Sequence, residues 1–217
     1  MDVMGAVREI STLLLPEACL ACGAKTFRAL CAACLQHFDD SPTAVWLEGV
    51  PCLGWDDHDG RIRVVIRAVK DERRTAELGL LRAHANRLAV VARRLLDVDD
   101  ALWVALPSSA AARRRRGFCL AERAFDRCGE SVREDVLWPV RGLRDQRTLG
   151  AAARRRNLTA ALYADHSAVD GRQVVLIDDV MTTGATMRAA RAAVLASGGD
   201  VVGMLVLART PRALTVG

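Results

Sequence analysis

The segment Val174-Val175-Leu176-Ile177-Asp178-Asp179-Val180-Met181-Thr182-Thr183-Gly184-Ala185-Thr186-Met187 constrains this chain more than any other. An apolar run predicts a buried strand over Gln173–Ile177 that carries two adjacent carboxylates to its carboxyl end, where open α/β sheets bind ligands. A short loop rich in hydroxyls follows, then a helix expected over Thr186–Ser197 and ended by Gly198-Gly199. The first N–H groups of a helix lack intrahelical partners and carry partial positive charge, so they suit a phosphate. Gly184 allows close backbone approach, and Thr182, Thr183 and Thr186 add hydroxyls. Asp178 and Asp179 would repel a bare phosphate. They fit a ligand that also offers vicinal hydroxyls or a bridging Mg²⁺, and a ribose phosphate satisfies both halves of the site. A polar strand–turn–helix, which any α/β protein contains, is the plainer reading, but paired acids followed by Thr-Thr-Gly-x-Thr are far more restrictive than a lone glycine pattern.

The rest of the chain supplies the setting. Arg61–Val69 continues into Glu72–Leu96 as a long amphipathic helix, and Ala110–Cys128 returns to helical spacing before Gly129. Leu102–Leu106, stopped by Pro107, Val136–Val140 and Val201–Leu207 are the further strand candidates. Strands alternating with helices predict an α/β fold, a doubly wound parallel sheet with its site at the strands' carboxyl ends. Three regions follow from composition: an N-terminal segment over 1–40, a Gly-, Pro- and Asp-rich connector or irregular β segment over 41–60, and the α/β domain over 61–217.

The N-terminal segment holds Cys19-x2-Cys22 and Cys31-x2-Cys34, two knuckles able to place four thiolates on one tetrahedral Zn²⁺. Four thiolates close the coordination sphere, so such a metal is structural and would stabilise a segment with little core of its own. Cys52, Cys119 and Cys128 read as small buried hydrophobes. His37, His58, His84 and His166 show no metal or triad spacing and are expected at the surface or in loops.

The Val174–Met187 segment resembles the 5-phosphoribosyl-1-pyrophosphate (PRPP) signature of type I phosphoribosyltransferases. A four-cysteine, zinc-ribbon-like knot ahead of such a domain resembles the ComF (competence protein F-like) family. Ile66–Lys70, Pro107–Phe118 with Arg116-Gly117-Phe118, and Asp145–Leu149 through Arg156-Asn157-Leu158 resemble further stretches of that family. The resemblance implies that Asp178 and Asp179 meet the ribose hydroxyls with Mg²⁺ nearby, and that Thr182, Thr183, Gly184, Ala185 and Thr186 cradle the 5′-phosphate. Lys70, Ser108, Ser109 and Arg116 are the candidates for pyrophosphate. Against this, Lys70 and Arg116 can equally be surface cations, and the serines an N-cap pair. Leu143–Leu158, with Gln146, Arg156 and Asn157, would be the lid over PRPP, or else a surface linker or a helix with an arginine face. The departures are Cys119-Leu120 after Phe118 where the family commonly has Asn-Gln, Ala105 in place of a proline, and Trp55 where tyrosine is usual.

The resemblance implies transfer of a phosphoribosyl group to an unidentified acceptor with release of pyrophosphate. The alternative is a non-catalytic PRPP-binding or DNA-uptake accessory that binds single-stranded DNA. Net charge is +5, and of the 31 basic residues only Lys25 and Lys70 are lysines. Arginine favours forked recognition of phosphate, although compositional drift explains the bias as well. One Tyr, four Phe and four Trp are few for a platform that stacks bases. No stretch approaches the ~20 apolar residues of a membrane span and no signal peptide is evident, so a cytoplasmic protein is expected.

Overall fold

The computed structural model describes residues 17–36, 41–57, 59–71, 77–96, 98–108, 113–114, 117–126, 131–139 and 162–210. In chain order the elements are β1 (Glu17–Ala18), β2 (Lys25–Thr26), α1 (Ala32–Gln36), β3 (Thr43–Leu47), β4 (Val50–Asp56), α2 (Arg61–Asp71) and α3 (Leu78–Leu96). Then come β5 (Leu102–Ala105), α4 (Leu120–Phe125), β6 (Leu137–Pro139), β7 (Leu162–Ala164), α5 (His166–Val169), β8 (Gln173–Met181), α6 (Ala185–Ala196) and β9 (Asp200–Arg209). The central sheet has the order β3-β4-β9-β8-β5. Its β4/β9, β9/β8 and β8/β5 pairs are parallel, and β3/β4 is an antiparallel hairpin.

The near-continuous apolar runs of β8 and β9 are what a sheet covered on both faces requires. Val175 and Ile177 of β8, Leu205 and Leu207 of β9, Trp103 of β5 and Trp55 of β4 bury against α2, α3 and α4. Their alternate neighbours Val174, Leu176, Met204, Val206, Val104 and Cys52 bury on the other face, with Met187, Ala190 and Val194 of α6. Period-two alternation therefore holds, with both halves of the period apolar. Cys19, Leu30 and Cys34 join the first of these clusters, so the N-terminal segment is continuous with the core.

Several sequence expectations change. Residues 43–56, within the expected connector or irregular β segment, form a regular two-stranded extension of the central sheet. Glu48 and Gly49 have φ of 52° and 80°, as a two-residue I′-type turn demands. Buried Arg209 ties the hairpin to β9 by donating to Asp56 Oδ1 (3.1 Å), Cys52 O (3.1 Å), Gly54 O (3.3 Å) and Thr43 Oγ1. The single long helix is two, α2 and α3, with 72–76 outside the described residues; unbroken, it would run ~54 Å, far beyond the ~30 Å of β8. Buried Asp57 starts α2 by accepting from the backbone N–H of Ile62 and of Arg63, each at 3.1 Å. The helix expected over 110–128 breaks at Gly117, whose φ of 79° and N–H bond to Arg113 O at 2.7 Å close one turn before α4 begins after Cys119. The strand expected over Val136–Val140 is β6, which pairs with β7 in a ladder of its own. His84 is buried, not superficial, and stacks on Trp55 with centroids 3.5 Å apart. Burial, then the charge of Arg87, pushes its pKa down to about 3. His166 is exposed as expected, while His37, His58 and Cys128 lie outside the described residues.

Gly54 marks the closest approach in the sheet. A Cβ there would stand 2.6 Å from Val206 Cγ2 and 2.7 Å from Val206 O. Gly54→Ala should therefore cost about 1–3 kcal/mol by overpacking in chemical denaturation. Gly79→Ala, in α3 with nothing within 4 Å of the added Cβ, should stabilise by up to about 1 kcal/mol. Equal effects of the two would contradict the β4/β9 register.

Candidate functional site

Strand β8 does not stop at Ile177. It continues to Met181, because β9 pairs with it through Asp178↔Val206, Val180↔Ala208 and Met181↔Arg209. The two acids thus sit in the last turns of a paired strand, and consecutive side chains leave it on opposite faces. Asp179, buried, meets Lys70 at the end of α2, with Nζ 2.6 Å from Oδ2. Asp178 lies on the other side, half-buried, and its Oδ1 accepts the N–H of Asp179 at 2.8 Å. Burial pushes the Asp178 carboxyl up to about 7, and the charge of Asp179 adds to this. The Asp179 N–H and Lys70 oppose it.

Beyond Met181 the loop turns into α6. Gly184 is its N-cap, with φ 70°. Leu47 of the hairpin presses on Gly184 from behind, its two methyls 3.1 Å from where a Cβ would be, so the tight turn needs glycine for space as well as for φ. Thr182, Thr183 and Thr186 are exposed and Ala185 half-buried, all at the helix start. Thr183 Oγ1 accepts from Ala185 N at 3.4 Å. Sequence reasoning missed Arg188, whose Nη2 donates to Thr183 O at 2.6 Å. It also missed the hairpin turn, where Glu48 pairs with Arg191 at 3.5 Å. Only the spacing of Arg188 from Gly184, one helical turn, could have signalled the first. Nothing local could have signalled the second.

Of the remaining candidates, Ser108 follows β5 and its Oγ lies 3.8 Å from Cys119 Sγ. Burial raises the Cys119 thiol pKa; hydrogen bonds from the Glu122 N–H and Ser108 oppose this, and the charges of Glu134 and Asp179 add to it. Arg113 pairs with Glu134 and Arg114 is exposed. Ser109, Arg116, Gln146, Arg156 and Asn157 lie outside the described residues. On either side of residues 140–161, Pro139 of β6 pairs with Leu162 of β7. Its other end, Ala164, accepts from Ser197 at the carboxyl end of α6, at 3.1 Å.

The second cluster is Cys19, Cys22, Cys31 and Cys34, whose sulfurs all lie within 4.8 Å of one another. The Cys22 and Cys31 sulfurs are 3.6 Å apart and all four are free thiols. Tetrahedral thiolates at ~2.3 Å from a zinc ion would stand ~3.8 Å apart, so the cluster is compatible with that metal. Burial raises the Cys19 thiol, but the N–H groups of Cys31, Cys22 and Ala21 outweigh it and bring its pKa to about 6. Cys34, buried with its neighbours' sulfurs around it, is pushed up to about 12. Four thiolates this close would repel one another strongly unless a cation shared their charge.

The Asp178 pKa has a consequence for stability. Its folded value of about 7 exceeds its ordinary 3.8, so between those values the folded chain holds a proton that the unfolded chain releases, and stability falls as pH rises. Without divalent cations, Asp178→Asn should raise Tm more at about pH 8 than at about pH 5. An equal gain at both would contradict the raised carboxyl.

Residues 141–215 match the family described as phosphoribosyl transferase domain. An adenine phosphoribosyltransferase of Frankia casuarinae (strain DSM 45818 / CECT 9043 / HFP020203 / CcI3) is 34% identical over 132 residues, 58% of this chain and 65% of that protein. Another, of Parafrankia sp. (strain EAN1pec), is 38% identical over 95 residues, 42% of this chain and 49% of that protein. The chain spans about half to two-thirds of the length of these curated relatives. β8, the Thr182–Thr186 loop and α6 all fall within the matched residues, so the chain carries a phosphoribosyl transferase domain in a mixed α/β fold, with a cysteine cluster ahead of it.

Proposed function

We propose that this chain binds PRPP and transfers its phosphoribosyl group to a nitrogenous acceptor, releasing pyrophosphate. The observation that carries the reading is the arrangement at the end of β8: paired carboxylates, one neutralised by Lys70, one step before a hydroxyl-lined helix start. The carboxylates of Asp178 and Asp179 accept from the ribose hydroxyls, and the Thr182–Thr186 loop holds the 5′-phosphate. As the bond from C1 to the pyrophosphate oxygen breaks, its electron pair leaves with pyrophosphate and the ribose ring becomes cationic. Two carboxylates fixed by a paired strand stabilise that charge without reorganising. Lys70, exchanging Asp179 for the departing anion, meets the charge on the other side. The acceptor nitrogen then bonds to C1 and gives its proton to solvent. The acids also offer the hard oxygen donors that suit Mg²⁺, which when bound would offset pyrophosphate charge. Adenine is the first acceptor to try, since the relatives are named for it.

The zinc ion and the ComF assignment belong to the same reading, supported by the order of a four-cysteine cluster and then a phosphoribosyl transferase domain. Ser109, Arg116 and the lid residues Gln146, Arg156 and Asn157 keep the roles that the family resemblance implies.

Calorimetric titration of the zinc-loaded chain with PRPP and Mg²⁺ should give binding that Asp179→Asn and Thr183→Ala each weaken by about tenfold or more, the worth of a charge-assisted hydrogen bond. Undiminished binding by both variants would sink the reading. Pyrophosphate release with adenine or another base identifies an enzyme. Tight PRPP binding with no release for any base would identify the non-catalytic alternative, and a labelled oligonucleotide shifted at low salt would support its DNA-handling form. Metal analysis should find one zinc per chain, and both chelation and Cys22→Ser should lower Tm. A metal-free chain with unchanged Tm would remove zinc from the account.

A further inference from the structure

We infer that Arg188 is the cation that recognises the terminal 5′-phosphate, and so sets the preference for a phosphorylated ribose; the inference rests on the PRPP reading above. Arg188 is the fourth residue of α6, and a long side chain at that position leans back toward the helix start. Its Nη2 donates to Thr183 O at 2.6 Å, and its Nη1 stands 3.4 Å from the position of a Cβ on Gly184. The guanidinium therefore lies against the Thr183–Gly184 backbone at the helix start.

Charge makes this placement informative. Arg191, the next arginine along α6, is matched by Glu48 at 3.5 Å. Lys70 is matched by Asp179 at 2.6 Å. Among the described residues no carboxylate pairs with Arg188, and the Thr183 carbonyl engages one of its five donors. A half-buried cation set against a helix N-terminus, itself positive, is an unfavourable pair of like charges. A dianion between them turns repulsion into two attractions, and a guanidinium fork matches phosphate oxygens in geometry as well as charge. Leu47 and Arg188 both crowd the side of Gly184 that a Cβ would occupy, so the guanidinium is held close against the loop backbone.

The test compares the full chain with Arg188→Lys and Arg188→Gln, titrated calorimetrically with PRPP–Mg²⁺, ribose 5-phosphate and inorganic pyrophosphate. Lysine keeps the charge and glutamine removes it, so the pair of variants reads the charge rather than the loss of the arginine side chain alone. We expect Arg188→Gln to weaken PRPP and ribose 5-phosphate by about ten- to a hundredfold, with pyrophosphate unchanged and Arg188→Lys much closer to the parent. Glutamine binding as tightly as arginine overturns the inference while leaving the PRPP site standing. An equal loss for pyrophosphate overturns it too, because the contact would then not be specific to the 5′ end. A parent chain that binds neither sugar phosphate overturns the proposed function, and the inference with it.

Discussion

The parallel ladder between β8 and β9 is what the rest of the molecule hangs on. It runs unbroken in direction from Gln173↔Asp200 to Met181↔Arg209, with a register shift between Val174 and Val175. Both strands are buried on both faces, so backbone bonding here has no competition from water, and the ladder fixes each side chain to one face. That is why a pair of carboxylates can be held at the end of a hydrophobic strand. The main chain is paired with β9 before and after them, which fixes the face from which each side chain leaves.

The same rigidity sets the electrostatics. Two adjacent acids in a dry setting cannot both keep their charge cheaply, and the fold treats them differently. Asp179 receives Lys70 from α2. Asp178 receives a single backbone N–H and keeps a raised proton affinity. A hydroxyl donor or a cation brought to this end of β8 would relieve Asp178. α2 delivers Lys70 because Asp57 fixes where that helix begins, and Asp57 itself donates its N–H to Arg209 O at 3.0 Å. A chain of hydrogen bonds therefore connects the end of β9 to the lysine beside the acids.

The β3–β4 hairpin has a role that its composition conceals. Arg209 is 1% exposed, and its guanidinium holds Thr43, Cys52, Gly54 and Asp56 together. A buried charge left with fewer partners would be strongly destabilising, so the hairpin and the end of β9 form one unit. The hairpin's turn then reaches the start of α6, with Leu47 behind Gly184 and Glu48 on Arg191. Geometry at the Thr182–Thr186 loop is consequently supported from a part of the chain about 140 residues earlier.

The local grammar was legible in the residues alone: an apolar strand, two acids, a hydroxyl loop with an indispensable glycine, a helix, and four cysteines in two knuckles. Each follows from nearest-neighbour chemistry, and each stands where it was expected, apart from the extra length of β8. Pairing energy with β9 supplied that length, and no window of β8 alone contains it. The division of residues 61–96 into two helices, the burial of His84 against Trp55 and the recruitment of 43–56 into the sheet were likewise decided elsewhere. So were the partner of Lys70 and the place of Arg188, because an ion pair is chosen by which helix end lies across from which strand end. Periodicity reports which face of an element is apolar. Only the packed structure decides what that face, and the charges beside it, will meet.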